Sequence, residues 1–423
     1  MVRASLFGEV VRSGSRGRWA ISVVLVWGLS TSAVARELGI EEAMQAAVSS
    51  NPTYTAGSRE IGIAQGLRQQ AGLLRNPTLS WQQEGTESRN RTTTIGLTQP
   101  FELGGKRGAR VELAERGQDV AALSVEEQRN ALRGDVIAGF YSALRAQERE
   151  RLALQSVELA ERGVKAAQGR VHAGKAPPLE ANRAQVQLAE VKLEQERAAR
   201  DRADAYQNLA VLMGLPRPDF TSVLSETGKS LPELPSDTAL LGRIGDSASL
   251  RLAQSRIDQS EAALRLARTQ RIPDLDVTVG TQEAVEQGTR DRIAVVGVSL
   301  PLPLFDRNQG NILAESRRAD QARDLRNATE LRLRQETQQA LQQWGTAQME
   351  VNAFRQTILP TAQTAVESAT RGFEMGKFGF LEVLDAQRTL ITARDQYLQA
   401  LAQVSDAWGR IERVYGDVNS TAR

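Results

Sequence analysis

Four long stretches of this sequence, 101–176, 179–215, 304–359 and 361–423, contain no proline. They are rich in Ala, Leu, Gln, Glu and Arg, and the whole chain is only 4% aromatic. Such residues lose little freedom in a helix, whereas a proline removes a backbone donor and breaks one. A helix from about Gly108 to Val171 would be roughly 96 Å long. No compact core accommodates that length, so these helices are expected to lie along one another as coiled coils.

A short stretch is written twice. GKAPPLEANRAQ (174–185) returns 202 residues later as GKFGFLEVLDAQ (376–387). At the same offset Val164, Ala167, Leu188 and Gly214 recur as Val366, Ala369, Leu390 and Gly416. More loosely, LTQPFELGGKRGARVELAE (97–115) parallels VSLPLPLFDRNQGNILAE (298–315), and NPTLSW (76–81) parallels IPDLDV (272–277). The chain therefore reads as two copies of one design, 36–215 and 247–423. They are joined by 216–246, where Pro216, Pro218, Pro232 and Pro235 sit among Ser, Thr and Gly. Each copy holds a helix, a β-hairpin, long helices and a tight turn, at about 172–180 and 374–382.

The hairpins show in the alternation. Ile95, Leu97, Gln99 and Phe101 alternate with Thr94, Gly96 and Thr98, and Leu275, Val277 and Val279 alternate with Asp276, Thr278 and Gly280. Period two over about ten residues fits a strand with one face on lipid and one on water. The spacing predicts hairpins at about 77–101 and 274–300, with polar loops GTESRN (85–90) and VEQGTRD (285–291). Arg292–Leu300 is strand-like but apolar on both faces. Four strands cannot close a barrel, and an open edge in lipid leaves backbone groups unsatisfied. If the strands cross a membrane, several copies must share one barrel, and their helices then assemble into a tube. The other reading is a soluble coiled-coil protein with two incidental hairpins, which explains neither the repeat nor the alternation.

Arg3, Arg12, Arg16 and Arg18 precede an apolar run from Trp19 to Leu29, closed by Ala33-Val34-Ala35. A basic start, a short apolar core and an A-x-A end predict a cleaved secretory signal over residues 1–35. Its removal takes four of 53 basic and one of 51 acidic side chains, leaving 49 against 50. Nucleic-acid binding needs a net basic surface and is not expected. With no cysteine, disulfides and thiolate metal sites are excluded.

Over essentially the whole mature chain this organisation resembles the TolC family of outer-membrane efflux proteins. The doubled turn is a family-wide motif. RTTT (91–94), QPFELGGKR (99–107) and PLPLFDRNQG (301–310) are similar to the heavy-metal branch, the outer-membrane component of Czc-type cobalt–zinc–cadmium resistance systems. The resemblance implies a mainly α fold with a membrane β-barrel. In a homotrimer, each subunit gives four strands to a shared 12-stranded barrel in outer-membrane lipid and long helices to a periplasmic α-barrel. It also implies docking on a periplasmic adaptor (a membrane fusion protein) joined to an inner-membrane resistance–nodulation–division pump. The two repeated turns become helix–turn–helix tips at the periplasmic mouth.

In that family the tips meet the adaptor, which makes Gly174, Lys175, Leu179, Gly376, Lys377 and Leu381 contact candidates. Glu382 and Asp385 are three apart and share a helical face. In the family, acidic residues at these positions line the closed periplasmic gate, although the first is often Asp. Glu180 matches Glu382, but Arg183 stands where Asp385 would be, so only the second tip can form a wholly acidic ring. His172 is the lone histidine and is expected as a helix-surface residue. Lys106 and Arg107 are candidates for the membrane interface, and Trp81 and Phe101 for an aromatic girdle.

The chain has no G-x-S-x-G, HExxH or Walker loop, so neither enzyme activity nor a cofactor is expected. The leading expectation is a passive exit duct for divalent metal cations. A duct for drugs, other solutes or polypeptides would use the same fold. A periplasmic coiled-coil scaffold or adaptor is the alternative from another class.

Overall fold

The structure, a computed structural model, describes residues 36–87, 90–224 and 234–417. The export signal expected at 1–35, Ser88 and Arg89 of the first loop, and Pro232 of the joining segment lie outside them. In chain order the first half comprises β1 (Glu37–Leu38), α1 (Ile40–Ser50), α2 (Pro52–Ala71), β2 (Thr78–Glu87), β3 (Asn90–Phe101), α3 (Lys106–His172), α4 (Pro178–Leu212) and β4 (Ser222–Val223). The second comprises α5 (Asp237–Gly242), α6 (Ala248–Thr269), β5 (Leu275–Glu286), β6 (Thr289–Ser299), α7 (Gln309–Ala353), α8 (Leu359–Glu374) and α9 (Phe380–Tyr415). No helix among the described residues is long and apolar enough to cross a membrane.

Helix α3 runs unbroken for 67 residues, about 100 Å at 1.5 Å per residue. Its counterpart covers 309–374 but is interrupted by a π-helical turn over Phe354–Ile358. That wide turn sits just ahead of Pro360, which cannot donate to the carbonyl four residues back and whose ring would clash with it. The first copy has no proline there, so its helix stays regular.

β2, β3, β5 and β6 form one antiparallel sheet in that order. Across it, Trp81 faces Ile95, Ile95 faces Thr281 and Thr281 faces Ala294; two residues along, Leu79, Leu97, Val279 and Val296 make the next row. One face therefore carries Leu79, Trp81, Ile95, Leu97, Phe101, Val279, Val296 and Val298, all exposed. The opposite face carries Ser80, Thr94, Thr98, Thr278 and Gln282, and the Thr98 and Thr278 hydroxyls bond at 2.8 Å. The expected alternation is present. The register also orients β6: Ala294, Val296 and Val298 lie on the apolar face, Ile293 and Val295 on the polar one. Trp81 stands within the apolar rows, while Phe101 stands at their helix-side end.

The loop expected over 285–291 is a correction. β5 and β6 pair up to Glu286 and Thr289, leaving a two-residue turn, Gln287 (φ 46°) and Gly288 (φ 88°). Positive φ at both central residues matches the right-handed strand twist, so the hairpin closes tightly.

Lys106 and Arg107 stand where the sheet meets the helices, and both find internal partners there. Lys106 Nζ lies 2.6 Å from Asp274, and Arg107 Nε donates to the Gly72 carbonyl at 2.8 Å. Arg75 lies 3.1 Å from Asp274 and 3.5 Å from Glu102, and Arg110 binds Glu102 at 2.5 and 3.1 Å. These residues form a charged collar where the sheet meets the helices. The Arg110 hydrogen bond holds the Glu102 carboxyl below its ordinary range.

Halfway along α3, β1 and β4 pair in parallel. Gln147 braces them by donating to the Val223 carbonyl at 3.1 Å and accepting from its N–H at 2.9 Å. Beneath, Leu38, Phe140, Tyr206, Leu209, Met213, Phe220, Val223 and Trp408 form the largest core cluster. The segment expected as a plain linker thus contributes a strand and two buried residues, and its later part buries Leu240 and Ile244.

Candidate functional site

Both tips use the same backbone device. In the first, Gly174 has φ 67°, its N–H donates to Val171 O at 3.0 Å, and the Lys175 N–H reaches Arg170 O at 2.8 Å. In the second, Gly376 has φ 74°, its N–H meets Phe373 O at 2.9 Å, and Lys377 N–H meets Gly372 O at 2.8 Å. These paired bonds are a Schellman closure, which needs a left-handed residue at the turn. The following helix starts at Pro178 in one copy and Phe380 in the other, so each turn spans only a few residues.

Gly174, Lys175, Leu179, Gly376, Lys377 and Leu381 are all exposed. Leu179 and Leu381 keep 55% and 57% of their surface, large for apolar side chains with a core nearby. Nothing within 4 Å crowds either turn glycine.

Below the turns the two hairpins pack as one unit. Ala160, Val164 and Ala167 of α3, Ala184, Leu188 and Val191 of α4, Phe373 of α8, and Phe380, Val383 and Leu384 of α9 share a buried cluster. The Phe373 and Phe380 rings lie 5.5 Å apart, centroid to centroid. Arg170 spans the hairpins: its guanidinium sits 4.7 Å over the Phe373 ring, its Nη1 donates to the Phe373 carbonyl at 3.4 Å, and its Nε lies 3.3 Å from Glu180. Sequence reasoning missed these contacts. Phe373 and Phe380 straddle the second turn in a chain poor in aromatics, which was the available signal.

The acidic residues part ways. Glu180 is turned inward onto Arg170, its side chain 16% exposed. Glu382 and Asp385 stand exposed on one face of α9, between the buried positions Val383, Leu384 and Gln387. Glu382 is the third residue of its helix, where a carboxylate complements the free N–H groups of the first turn. His172 is exposed, with Nδ1 2.8 Å from the Gln168 carbonyl of its own helix.

The chain thus carries an amphipathic, open-edged sheet at one end of a helical shaft and paired exposed turns at the other. The chain belongs to the outer membrane efflux protein family, which residues 43–215 and 244–417 match. It is 37% identical over 379 residues to the cobalt-zinc-cadmium resistance protein CzcC of Cupriavidus metallidurans, with 90% of each chain covered. It is 28% identical over 293 residues to the nickel-cobalt-cadmium resistance protein NccC of Alcaligenes xylosoxydans xylosoxydans, covering 66% of this chain and 64% of that one. Among solved structures, the outer-membrane channel OprN superposes with a TM-score of 0.75 over 89% of both chains, at 19% identity.

Proposed function

We propose that this protein is the outer-membrane channel of a tripartite resistance–nodulation–division efflux system and a passive exit duct for divalent heavy-metal cations of the cobalt, zinc and cadmium class. The observation that carries the metal assignment is the 37% identity to CzcC across 90% of both chains. The amphipathic sheet supports a membrane role. Its edges, β2 and β6, each pair on one side only, and three such sheets close into a 12-stranded barrel that satisfies them. The long helices then continue the barrel as a periplasmic tube.

In this trimer the tips form the far mouth. Gly174, Lys175, Leu179, Gly376, Lys377 and Leu381 present two exposed turns to a periplasmic adaptor that links the duct to an inner-membrane pump. Three copies of Glu382 and Asp385 ring the opening, attracting cations and narrowing the closed state. Glu180, committed to Arg170, is left to structure. Energy and ion choice reside in the pump and adaptor. Residues 1–35 direct export and are removed.

The test is metal tolerance in a host with the cognate adaptor and pump, this gene deleted and then restored. Growth is scored against zinc, cobalt, cadmium, nickel and copper, with drugs alongside. Sensitivity to a subset of metals alone is expected. Sensitivity only to drugs would keep the fold and overturn the cargo. A scaffold would yield no heat-modifiable trimers from extracted membranes.

A further inference from the structure

At the turn end of the sheet, charge is sorted by face. The register places Arg91, Val285 and Arg290 in one row across β3, β5 and β6, and Thr93, Glu283 and Arg292 in the next. Both rows continue the apolar face. Arg91 lies four residues beyond Ile95 on β3, roughly 14 Å along the strand, and Arg292 two beyond Ala294 on β6. Arg292 is bonded to Glu283 at 2.9 Å yet keeps 73% of its side chain exposed. Arg290 is exposed, and the charges of Arg91, Arg290 and Arg292 all fall on Glu283. The opposite face at the same level carries Glu84, Asp291 and Glu286. Ordinary solvated turn charges would be mixed on both faces. Among the described residues here, three arginines and one glutamate lie on the outward face, and the inward side is acidic.

We propose that Arg91, Arg290 and Arg292 form a binding site for the phosphate groups of an anionic glycolipid in the outer leaflet, just above the hydrocarbon band. This rests on the membrane-channel reading of the sheet. An outward face that is apolar for several rows and then basic meets acyl chains first and headgroups next. Guanidinium groups bind phosphate oxygens bidentately and stay charged at any physiological pH. Arg91 and Arg290 share a row and stand about 10 Å apart across the intervening strand, with Arg292 about 7 Å from Arg290 along β6, wide enough to engage separate phosphates of one headgroup. Glu283 holds Arg292 in place but offsets one charge, so a glycolipid competes with it for that guanidinium.

The experiment uses full-length trimers extracted from membranes and stripped of lipid, with purified bis-phosphorylated lipid A as the probe. Retained lipid is measured by native mass spectrometry, and the temperature of trimer dissociation on semi-native gels is recorded. Wild type should retain lipid A and dissociate at a higher temperature with it. The variant carrying Arg91→Gln, Arg290→Gln and Arg292→Gln should bind about a hundredfold more weakly, and the matching Lys replacements should restore most binding. Equal retention by the Gln variant would overturn the proposal. Should that variant fail to assemble, Glu283→Gln decides: tighter binding is expected, and unchanged binding overturns it. Inorganic phosphate alone, if it reproduces the thermal shift at millimolar concentration, marks a free-anion site and overturns the lipid assignment. Wild-type trimers that ignore lipid A sink this proposal only, whereas absence of trimers from the membrane sinks the channel reading with it.

Discussion

Arg170 leans on Glu180 of its own hairpin and reaches the other one, at Phe373, 203 residues away in the chain, through an aromatic face and a carbonyl. The ring it covers, Phe373, is 3% exposed, so Phe373→Ala should cost about 3–5 kcal/mol of local stability. Hydrogen exchange at the tips should accelerate in that variant while exchange around Phe140 and Leu209 stays slow; uniform acceleration would contradict a local role. The proposed gate residues belong to a different test, because both are exposed and support no core. Replacing Glu382 and Asp385 by Ala should raise single-channel conductance and weaken cation selectivity in planar bilayers. Unchanged conductance would sink the gate assignment.

At the scale of the element, the turns separate folding from docking. The Gly376 N–H is used in closing its helix and its φ of 74° is forbidden to proline, so Gly376→Pro should damage the turn itself. Lys175 and Lys377 are the cleaner probes, being exposed. Lys175→Glu with Lys377→Glu should leave trimers at wild-type levels and abolish metal tolerance; retained tolerance would remove the lysines from the docking surface. The parts of these elements readable in advance obey short-range rules. A left-handed turn wants glycine, a lipid-facing strand alternates, and a helix without proline runs on, so the tips, the strands and α3 were all visible in the letters. What was not visible depends on distant partners. Glu37 pairs with Ser222 through strands of two residues, too short to show any period. The Lys106–Asp274 pair joins residues 168 apart, so nothing near Lys106 announces it. The inward turn of Glu180 follows from Arg170, which its own sequence neighbourhood does not announce.

For the molecule as a whole, the collar of Arg75, Glu102, Lys106, Arg110 and Asp274 ties sheet to shaft. The folded-state pKa of Glu102 is depressed, so its contribution is fully present above the unfolded value of about 4.5 and is lost as pH falls towards the folded one. The unfolding temperature of the subunit should therefore drop in wild type as the medium is acidified below about pH 4.5, and the gap to Glu102→Gln should shrink over the same window. A constant gap would show that the carboxylate charge is not what the collar uses.

The unpaired outer edges of β2 and β6 carry a genetic consequence. In the trimer proposed above, a ring that closes only when every edge finds a neighbour makes each copy hostage to the others. A copy whose β6 edge is blocked, for instance by proline at Val296, should poison assemblies that contain it. Co-expressed at equal levels with wild type, and mixing at random, it would leave about one in eight trimers intact. Metal tolerance in such a strain should then fall far below half, the mark of a dominant-negative allele.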